Sequence, residues 1–499
     1  MQILSSEEMK EAEKKAIESY IPSMLLMESA AEKVVKIAER EIEDIENKRV
    51  VVVCGDGNNG GDGFAVARKL FNLSKKVDVL FCGNSAKLSS DGAINFEIAK
   101  NMGIKFIEEP DFKEYDIVID AIFGTGVSRT IEGKVKEIIE KINSAEKFVI
   151  AVDIPSGIIC DTGEVAGTAV KADVTVTFHR AKPAHYLYPG REMSGTIYVE
   201  DIGIKEEFSL NGYKREVILK QDILIKNRKK ELNKMSGGRV MVIAGKSGYS
   251  GAAYLCSQAA VRSGAGIVYL VIPDSISGII ESKSTETVKI AVKSTKSGGI
   301  AAENSEKIIE LIKKLKIDSI VIGPGLGREE DIEKIVADVL MQTETAVIAD
   351  ADALYFIKEG SVLLQRESLI ITPHEGEFER VTGRAVGSRI TAAESFAKEN
   401  GAVLILKGAD TIIAGKGFTY INSSGNPGMA KAGMGDVLAG LLGGVVARGY
   451  GIEESCKTAV YIHGYAADIA ALEKSEESLI PEDVIEYLGK AFLGLGREQ

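Results

Sequence analysis

Two glycine-rich segments hold the residues of this chain best suited to chemistry. The first, GDGNNGGDG at 55–63, places five glycines in nine positions directly behind the apolar run Val50-Val51-Val52-Val53. Glycines let successive backbone N–H groups approach an anion, and a helix opening near Asp62 would add its positive N-terminus. A tight strand-to-helix turn accounts for one or two of these glycines and leaves the rest, and the two asparagines, unexplained. Gly55-x-Gly57-x-x-Gly60 also matches the dinucleotide fingerprint, but that site wants an acidic residue at the end of the next strand. The next strand ends in LFCGNSAK, and its only acid, Asp78, falls mid-strand. The ordinary Rossmann dehydrogenase is therefore rejected, while the phosphate cradle stands.

Other strand ends in this half carry polar groups: Asp120 and GTGVSRT (124–130) after one, VDIPSG (152–157) after another. Ligands of open αβ sheets bind at the carboxyl ends of strands. Asn59, Asp120 and Ser156 would supply hard oxygens there, suited to a weakly held cation. Asp153 follows its strand directly, a seat for a general acid or base. A turn or N-cap aspartate ahead of Pro155 fits the pattern equally well.

The second segment is Gly433-Met434-Gly435-Asp436, followed by VLAGLLGGVVARG, an apolar helix. Glycine amides at a helix N-terminus make an anion hole, and an aspartate in the first turn can take a proton from a hydroxyl. That combination suits phosphoryl transfer to an alcohol. Asp436 as a helix-end residue favoured by the dipole is the plainer reading, and it would not need GNPGMAKAGMG before it. Lys407-Gly408-Ala409-Asp410-Thr411 joins two strands and could line a nucleotide; GPGLG (323–327) ends another strand. His374, between acids in TPHEGE, reads as a surface or structural residue raised only by its strand-end position. AGKS at 244–247 imitates a phosphate-binding P-loop, but Val240 stands where its first glycine is required.

These residues need a scaffold of strand ends, and the hydrophobic pattern supplies one. Strand-like runs at 49–54, 76–82, 115–124, 147–157 and 172–178 alternate with helical segments such as FAVARKLFNL and INFEIAKNMG. Ser5-x-x-Glu8 is a capping box for a first helix, and a second opens at about Pro22. The pattern loosens between 200 and 235 and restarts with RVMVIAG, IVYLVIP, DSIVIGPGLG, TAVIADADAL, SLIITPHEGE and AVLILKG. The expected fold is α/β in two domains, 1–215 and 225–499, the first with a doubly wound parallel sheet. A chain of 499 residues is too long for one ordinary core.

Composition narrows the class. Fifty-two glycines are about a tenth of the chain, above the typical ~7%, and clustered as ligand loops are. A net charge of −12 without a basic run argues against nucleic-acid or membrane-surface partners. The five cysteines are scattered and odd in number, so buried, reduced thiols are expected. The acidic opening MQILSSEEMKEAEKK does not read as a signal peptide, and the apolar stretch 437–447 is too short to span a bilayer. A cytoplasmic protein is expected.

GDGNNGGDG, DAIFGTG and VDIPSG, in this order and spacing, resemble the NAD(P)H-hydrate epimerase domain over about residues 1–210. SGAAYL, GPGLG, DADAL, TPHEGE, KGADT and GMGD resemble the ribokinase-like ADP/ATP-dependent NAD(P)H-hydrate dehydratases over about 225–499. The first half is thus expected to be Rossmann-like and the second a ribokinase-like α/β domain. The resemblance implies potassium ligands at Asn59, Asp120 and Ser156. It implies contacts to hydrated NADH or NADPH from Asn58, Asn59, Gly60, Gly61, Asp62 and Asp153. Further contacts would come from Gly124, Thr125, Gly126, Val127, Ser128, Arg129 and Thr130. In the second half it implies substrate contacts from Ala252, Gly325, His374 and Asp436. Lys407, Gly408, Ala409, Asp410, Thr411 and Gly435 would contact ADP or ATP with Mg²⁺. Asp153 and Asp436 are the expected catalytic groups, and a homo-oligomer is implied. Where the second family often has His-Lys-Gly, this chain reads Asn233-Lys234-Met235. A small-alcohol kinase fused to a non-catalytic nucleotide-binding module is the other reading, separated by whether phosphoester accumulates.

Overall fold

The computed structural model describes residues 1–74, 76–209, 212–228, 230–231 and 234–497. Asn233 lies outside the described residues. The chain divides into two compact units, Gln2–Arg215, and Glu216–Gln499 together with Met1.

The first unit opens with helix Ser6–Ser19, whose Ser5–Glu8 capping box forms as the sequence predicts, followed by helix Ser23–Glu41 behind Pro22. Its sheet comprises β1 (Val50–Cys54), β2 (Val77–Phe81), β3 (Lys105–Ile107), β4 (Ile117–Ala121), β5 (Phe148–Val152), β6 (Val174–Phe178) and β7 (Thr196–Glu200). The order is β3-β2-β1-β4-β5-β6-β7, and every pair is parallel. Strand order reverses between β1 and β4, the place where such sheets open a crevice for ligands. In β1, Val50, Val52 and Cys54 enter one apolar layer and Val51 and Val53 the other. Burial on both faces is why the run is uninterruptedly apolar, and each valine contributes about 1.5–3 kcal/mol by leaving water.

The second unit builds its main sheet from β8 (Lys214–Ile218), which crosses the unit boundary, and from strands that alternate with helices. After the short β9 (Leu224–Ile225), which pairs outside this sheet with Gly496–Arg497, come β10 (Arg239–Ile243), β11 (Ile267–Pro273), β12 (Val288–Val292), β13 (Ser319–Ile322) and β14 (Ala346–Ala349). They are followed by β15 (Leu369–Ile371), β16 (Val403–Leu406), β17 (Ile412–Gly415) and β18 (Phe418–Asn422). The order is β12-β11-β10-β13-β14-β15-β16-β17-β18-β8, parallel from β12 to β16 and antiparallel through β17 and β18. The strands β3, β7, β8, β9, β12 and β18 escape the sequence reading. Lys105–Ile107 has three residues and Leu224–Ile225 two, too short for a periodicity to show.

Helix Met434–Ala447 lies under this sheet, buried nearly throughout. Its glycines permit close approach: a Cβ on Gly440 would fall 1.9 Å from the carbonyl oxygen of Cys256 in helix Ser250–Arg262. Among the described residues no helix is long and apolar enough to cross a membrane. Four cysteines are buried, but Cys82 is only half-buried, against expectation, because it stands just past the end of β2.

Candidate active sites

The glycine loop of the first unit is bare mainly because it is crowded. A Cβ on Gly55 would lie 2.0 Å from the carbonyl oxygen of Ile122, and one on Gly60 1.9 Å from that of Gly55. On Gly61 it would meet Met27 Cε at 2.7 Å, and on Gly63 Ala121 Cβ at 2.6 Å. Only Gly57 faces open space. Packing therefore accounts for four of the five glycines, which corrects the expectation that anion approach explains the cluster. The helix they open, Asn58–Ser74, starts at Asn58 rather than near Asp62. Its first turn thus presents Asn58 and Asn59, with their free N–H groups, beyond β1.

Asp120 and Ser156 meet directly. Ser156 donates through Oγ to Asp120 Oδ1 at 2.5 Å and through its backbone N–H to Oδ2 at 2.7 Å. The Phe123 N–H donates to Ser156 Oγ at 2.9 Å. Burial pushes the Asp120 carboxyl up to about 6, against the pull of the Ser156 and Ile122 hydrogen bonds. Asn59, in the first turn of the helix after β1, lies against the loop that follows β4: a Cβ on Gly124 would lie 3.4 Å from its Oδ1, and its buried Nδ2 has no hydrogen-bond partner. Gly124 therefore sits against Asn59, and Thr125 to Thr130 continue as a half-exposed to exposed loop.

Asp153 is neither an N-cap nor a simple turn residue. It adopts φ +67°, a left-handed conformation unusual for a residue with a Cβ. Its Oδ1 accepts from Lys182 Nζ at 2.5 Å and from Thr177 Oγ1 at 2.8 Å. His185 Nδ1 accepts from the Lys182 N–H, so the other ring nitrogen carries the proton and donates to the Asp153 carbonyl at 2.9 Å. Burial holds His185 down at about 4, which keeps it neutral. Burial works to raise Asp153, yet its carboxyl stays below the usual range because Lys182 stands beside it. Asp62 responds in the opposite sense, raised well by burial and then by the charges of Asp153 and Glu13. Lys182, Thr177, His185 and Glu13 carry no motif signal in the sequence.

In the second unit the strand ends converge on Asp350, which follows β14 in the DADAL segment. Asp350 is buried; its Oδ1 accepts from Lys407 Nζ at 2.8 Å and from Thr372 Oγ1 at 2.7 Å. A Cβ on Gly435 would lie 3.1 Å from Lys407 Nζ and 3.7 Å from Asp350 Oδ2, so the helix entrance closes over this pair. Asp436, in the first turn of that helix, is pushed up to about 7, by burial first and then by Asp350, with Lys407 opposing. Lys407 also has Glu377 at 4.0 Å.

Gly325, at φ +60°, abuts Ala252: a Cβ added there would lie 3.0 Å from that of Ala252. His374 caps helix Glu375–Thr382, donating its N–H to Glu377 Oε2 at 3.0 Å, and its side chain remains 61% exposed. His374 and Lys407 are paired in register, prolonging the β15–β16 ladder. Gly408 and Thr411 close a tight turn, the Thr411 hydroxyl donating to the Gly408 carbonyl at 2.9 Å. Asp410 is engaged elsewhere, 2.9 Å from Arg389 Nε, and Arg389 also donates to the carbonyls of Leu406 and Lys407. Arg389 is the member of this site that no sequence motif reveals, and Thr372 and Glu377 are visible only as parts of TPHEGE. Asp350 is visible only as part of a motif.

Comparison with known proteins decides the family. Residues 240–490 match the family profile described as NAD(P)H-hydrate dehydratase, and 23–184 match the YjeF-related protein N-terminus. The bifunctional NAD(P)H-hydrate repair enzyme Nnr of Thermofilum pendens is 36% identical, covering 99% of this chain and 97% of that protein. Its counterpart from Dictyoglomus turgidum is 34% identical over 98% of each.

This chain belongs to the bifunctional NAD(P)H-hydrate repair enzyme family.

Asn59, Asp120, Asp153, Ser156 and Lys182 all fall inside the first matched region of the repair enzyme, and Asp350, Lys407 and Asp436 inside the second. A ribokinase-like superfamily protein of Enterococcus faecalis covers 57% of this chain and 98% of its own, with 25% identity and a TM-score of 0.50. An ADP/ATP-dependent NAD(P)H-hydrate dehydratase from Bacillus subtilis, crystallised with ATP and Mg²⁺, matches at 27% identity and a TM-score of 0.49, over 56% and 98%.

Proposed function

We propose that the two clusters divide one repair between them. Hydration across a ring double bond of reduced nicotinamide dinucleotides gives an alcohol in two epimeric forms. The first unit interconverts the R and S forms. The second dehydrates the S form, using ADP or ATP: it phosphorylates the ring hydroxyl, then lets phosphate depart with the electrons of the carbon–oxygen bond. A proton leaves the neighbouring carbon, and the double bond returns.

The observation that carries this reading is Asp436, a carboxyl poised at about 7 at a helix entrance beside the Lys407–Asp350 pair. A base with that affinity can take a hydroxyl proton near neutral pH, while the amides of Gly433, Gly435 and Asp436 stabilise transferred phosphoryl charge. Ala252, Gly325 and His374 form the substrate side and Lys407 to Thr411, with Gly435, the nucleotide side. Asp410 enters this only by bracing the loop through Arg389. The nucleotide's phosphates would supply Mg²⁺ with most of its ligands; among the described residues no group of three or more His, Cys, Asp or Glu is placed to hold a metal ion.

Potassium fits the first unit. Asp120, Ser156 and Asn59 offer carboxylate, hydroxyl and amide oxygens, and the orphaned Asn59 amide can turn its oxygen to a cation. The ion would fasten the Gly124–Thr130 loop against the helix entrance. The test is incubation with mixed hydrate epimers, with and without ADP and magnesium. Recovery of reduced-coenzyme absorbance from both epimers only when nucleotide is present supports the reading; accumulation of phosphoester without recovery replaces it with a simple kinase.

A further inference from the structure

Lys182 is 1% exposed, and a buried ammonium is costly unless every proton on it is used. Here all three are. Besides Asp153 Oδ1 at 2.5 Å, Nζ donates to Thr177 Oγ1 at 2.8 Å and to the Phe178 carbonyl at 3.2 Å. The Thr177 hydroxyl passes its own proton on to the same Asp153 oxygen. Oδ1 is therefore doubly occupied, whereas Oδ2 accepts no hydrogen bond from any described residue, on a side chain 14% exposed.

The backbone is held as firmly. Asp153 N–H donates to the Val176 carbonyl at 2.8 Å, and His185 donates to the Asp153 carbonyl at 2.9 Å, which together fix the left-handed φ. Residues in such conformations persist only where their surroundings over-determine them.

We propose that Lys182 is a positioning residue for the first unit's reaction: with Thr177 it pins one oxygen of Asp153 and so aims the other at the ligand. This rests on the reading of Asp153 as the acid–base group of that unit.

The electrostatic surroundings agree. Three carboxyls interact here, Glu13 from helix Ser6–Ser19, Asp62 from helix Asn58–Ser74, and Asp153, and the Lys182 charge acts on Glu13 and Asp153. Burial, and then the charge of Asp153, raises Glu13, and Asp62 is raised further. Asp153 alone is lowered, since only it touches Lys182. Of the remaining neighbours, Lys10 acts on Glu13 and Asp161 on Cys160, while His185 and the Cys160 thiol are neutral, the thiol raised well above its ordinary value by burial. Lys182 thus selects which carboxyl is ionised, and a split of that kind is how a site sets one group apart as base.

The test uses the full-length chain, with dehydration as the internal control. Lys182→Met should move the acid limb of the kcat/KM profile for epimerisation upward by about one pH unit or more. At neutral pH kcat should fall by about 10–100-fold with KM little changed. Thr177→Val, which keeps shape and the buried charge, should shift the limb the same way by less. A limb unmoved in Lys182→Met, at wild-type rate, overturns the proposal. If Lys182→Met does not fold, Thr177→Val decides: a shifted limb supports the proposal and an unmoved one overturns it. Asp153→Asn separates the two layers, because full epimerisation in that variant overturns the reading of Asp153 itself.

Discussion

Lys407 Nζ stands 2.8 Å from Oδ1 of Asp350, and both charges act on Asp436 one helical entrance away. Burial and Asp350 raise Asp436 to about 7 while Lys407 restrains it. As a base it works only when ionised, so dehydration should rise with pH through about 7 and level off above. Asp436→Asn should lower the rate by about 10²–10⁴-fold with nucleotide affinity little changed. Lys407→Met removes the restraint and should move the pH–rate limb upward, besides raising the KM for nucleotide. The measurement is recovery of reduced-coenzyme absorbance with ADP across pH; near-normal recovery by Asp436→Asn would reduce the aspartate to a helix cap.

The same carboxyl costs stability. A carboxyl raised in the folded chain binds its proton more tightly there than when unfolded, so stability is lost as pH rises from about 4 through 7. Asparagine cannot ionise. Asp436→Asn should therefore be the more stable protein at pH 8, by on the order of 2–4 kcal/mol in the second unit, with the advantage gone at pH 4. Thermal unfolding at the two pH values checks this, and equal midpoints at pH 8 would show that Asp436 bears no such load.

Potassium dependence should itself depend on pH. Asp120, at about 6, binds a cation only as a carboxylate. Stimulation of epimerisation by potassium over an equal concentration of choline should be full at pH 7.5 and fade by pH 5.5. Asp120→Asn should abolish the response at both. Stimulation that persists unchanged at pH 5.5 would remove Asp120 from the ion's ligands.

Gly440→Ala should destabilise the second unit by about 1–3 kcal/mol, because the added methyl meets the Cys256 carbonyl at 1.9 Å in a helix contact with no slack. Denaturant unfolding would report the loss, while epimerisation in the same chain stays at its wild-type rate.

The central strands of both main sheets were legible because parallel strands buried on two faces are unbroken apolar runs; Val50 to Cys54 is such a run, buried residue by residue. The site was legible where a helix entrance or a strand end carries a backbone signal, as at GMGD and DIPSG. It was illegible where partners arrive from distant sequence. Lys182 reaches Asp153 across 29 positions, and Arg389 reaches Asp410 across 21; nothing at either end announces the other. Glycines misled for a related reason. A missing Cβ signals close approach of something, and sequence does not say whether that is a phosphate or the Ile122 carbonyl.

Gly57 has a practical use for that same reason. Its four neighbours in the loop cannot take a side chain, but a Cβ at Gly57 meets nothing within 4 Å, and its φ is not left-handed. Gly57→Cys would put a reactive sulfur at the mouth of the first unit's cradle. Burial pushes the half-buried Cys82 thiol up to about 12, and the other four are buried outright, so a maleimide dye should attach at Gly57→Cys alone. The loop can then be watched by fluorescence as ligand enters, with no change to the residues that hold it.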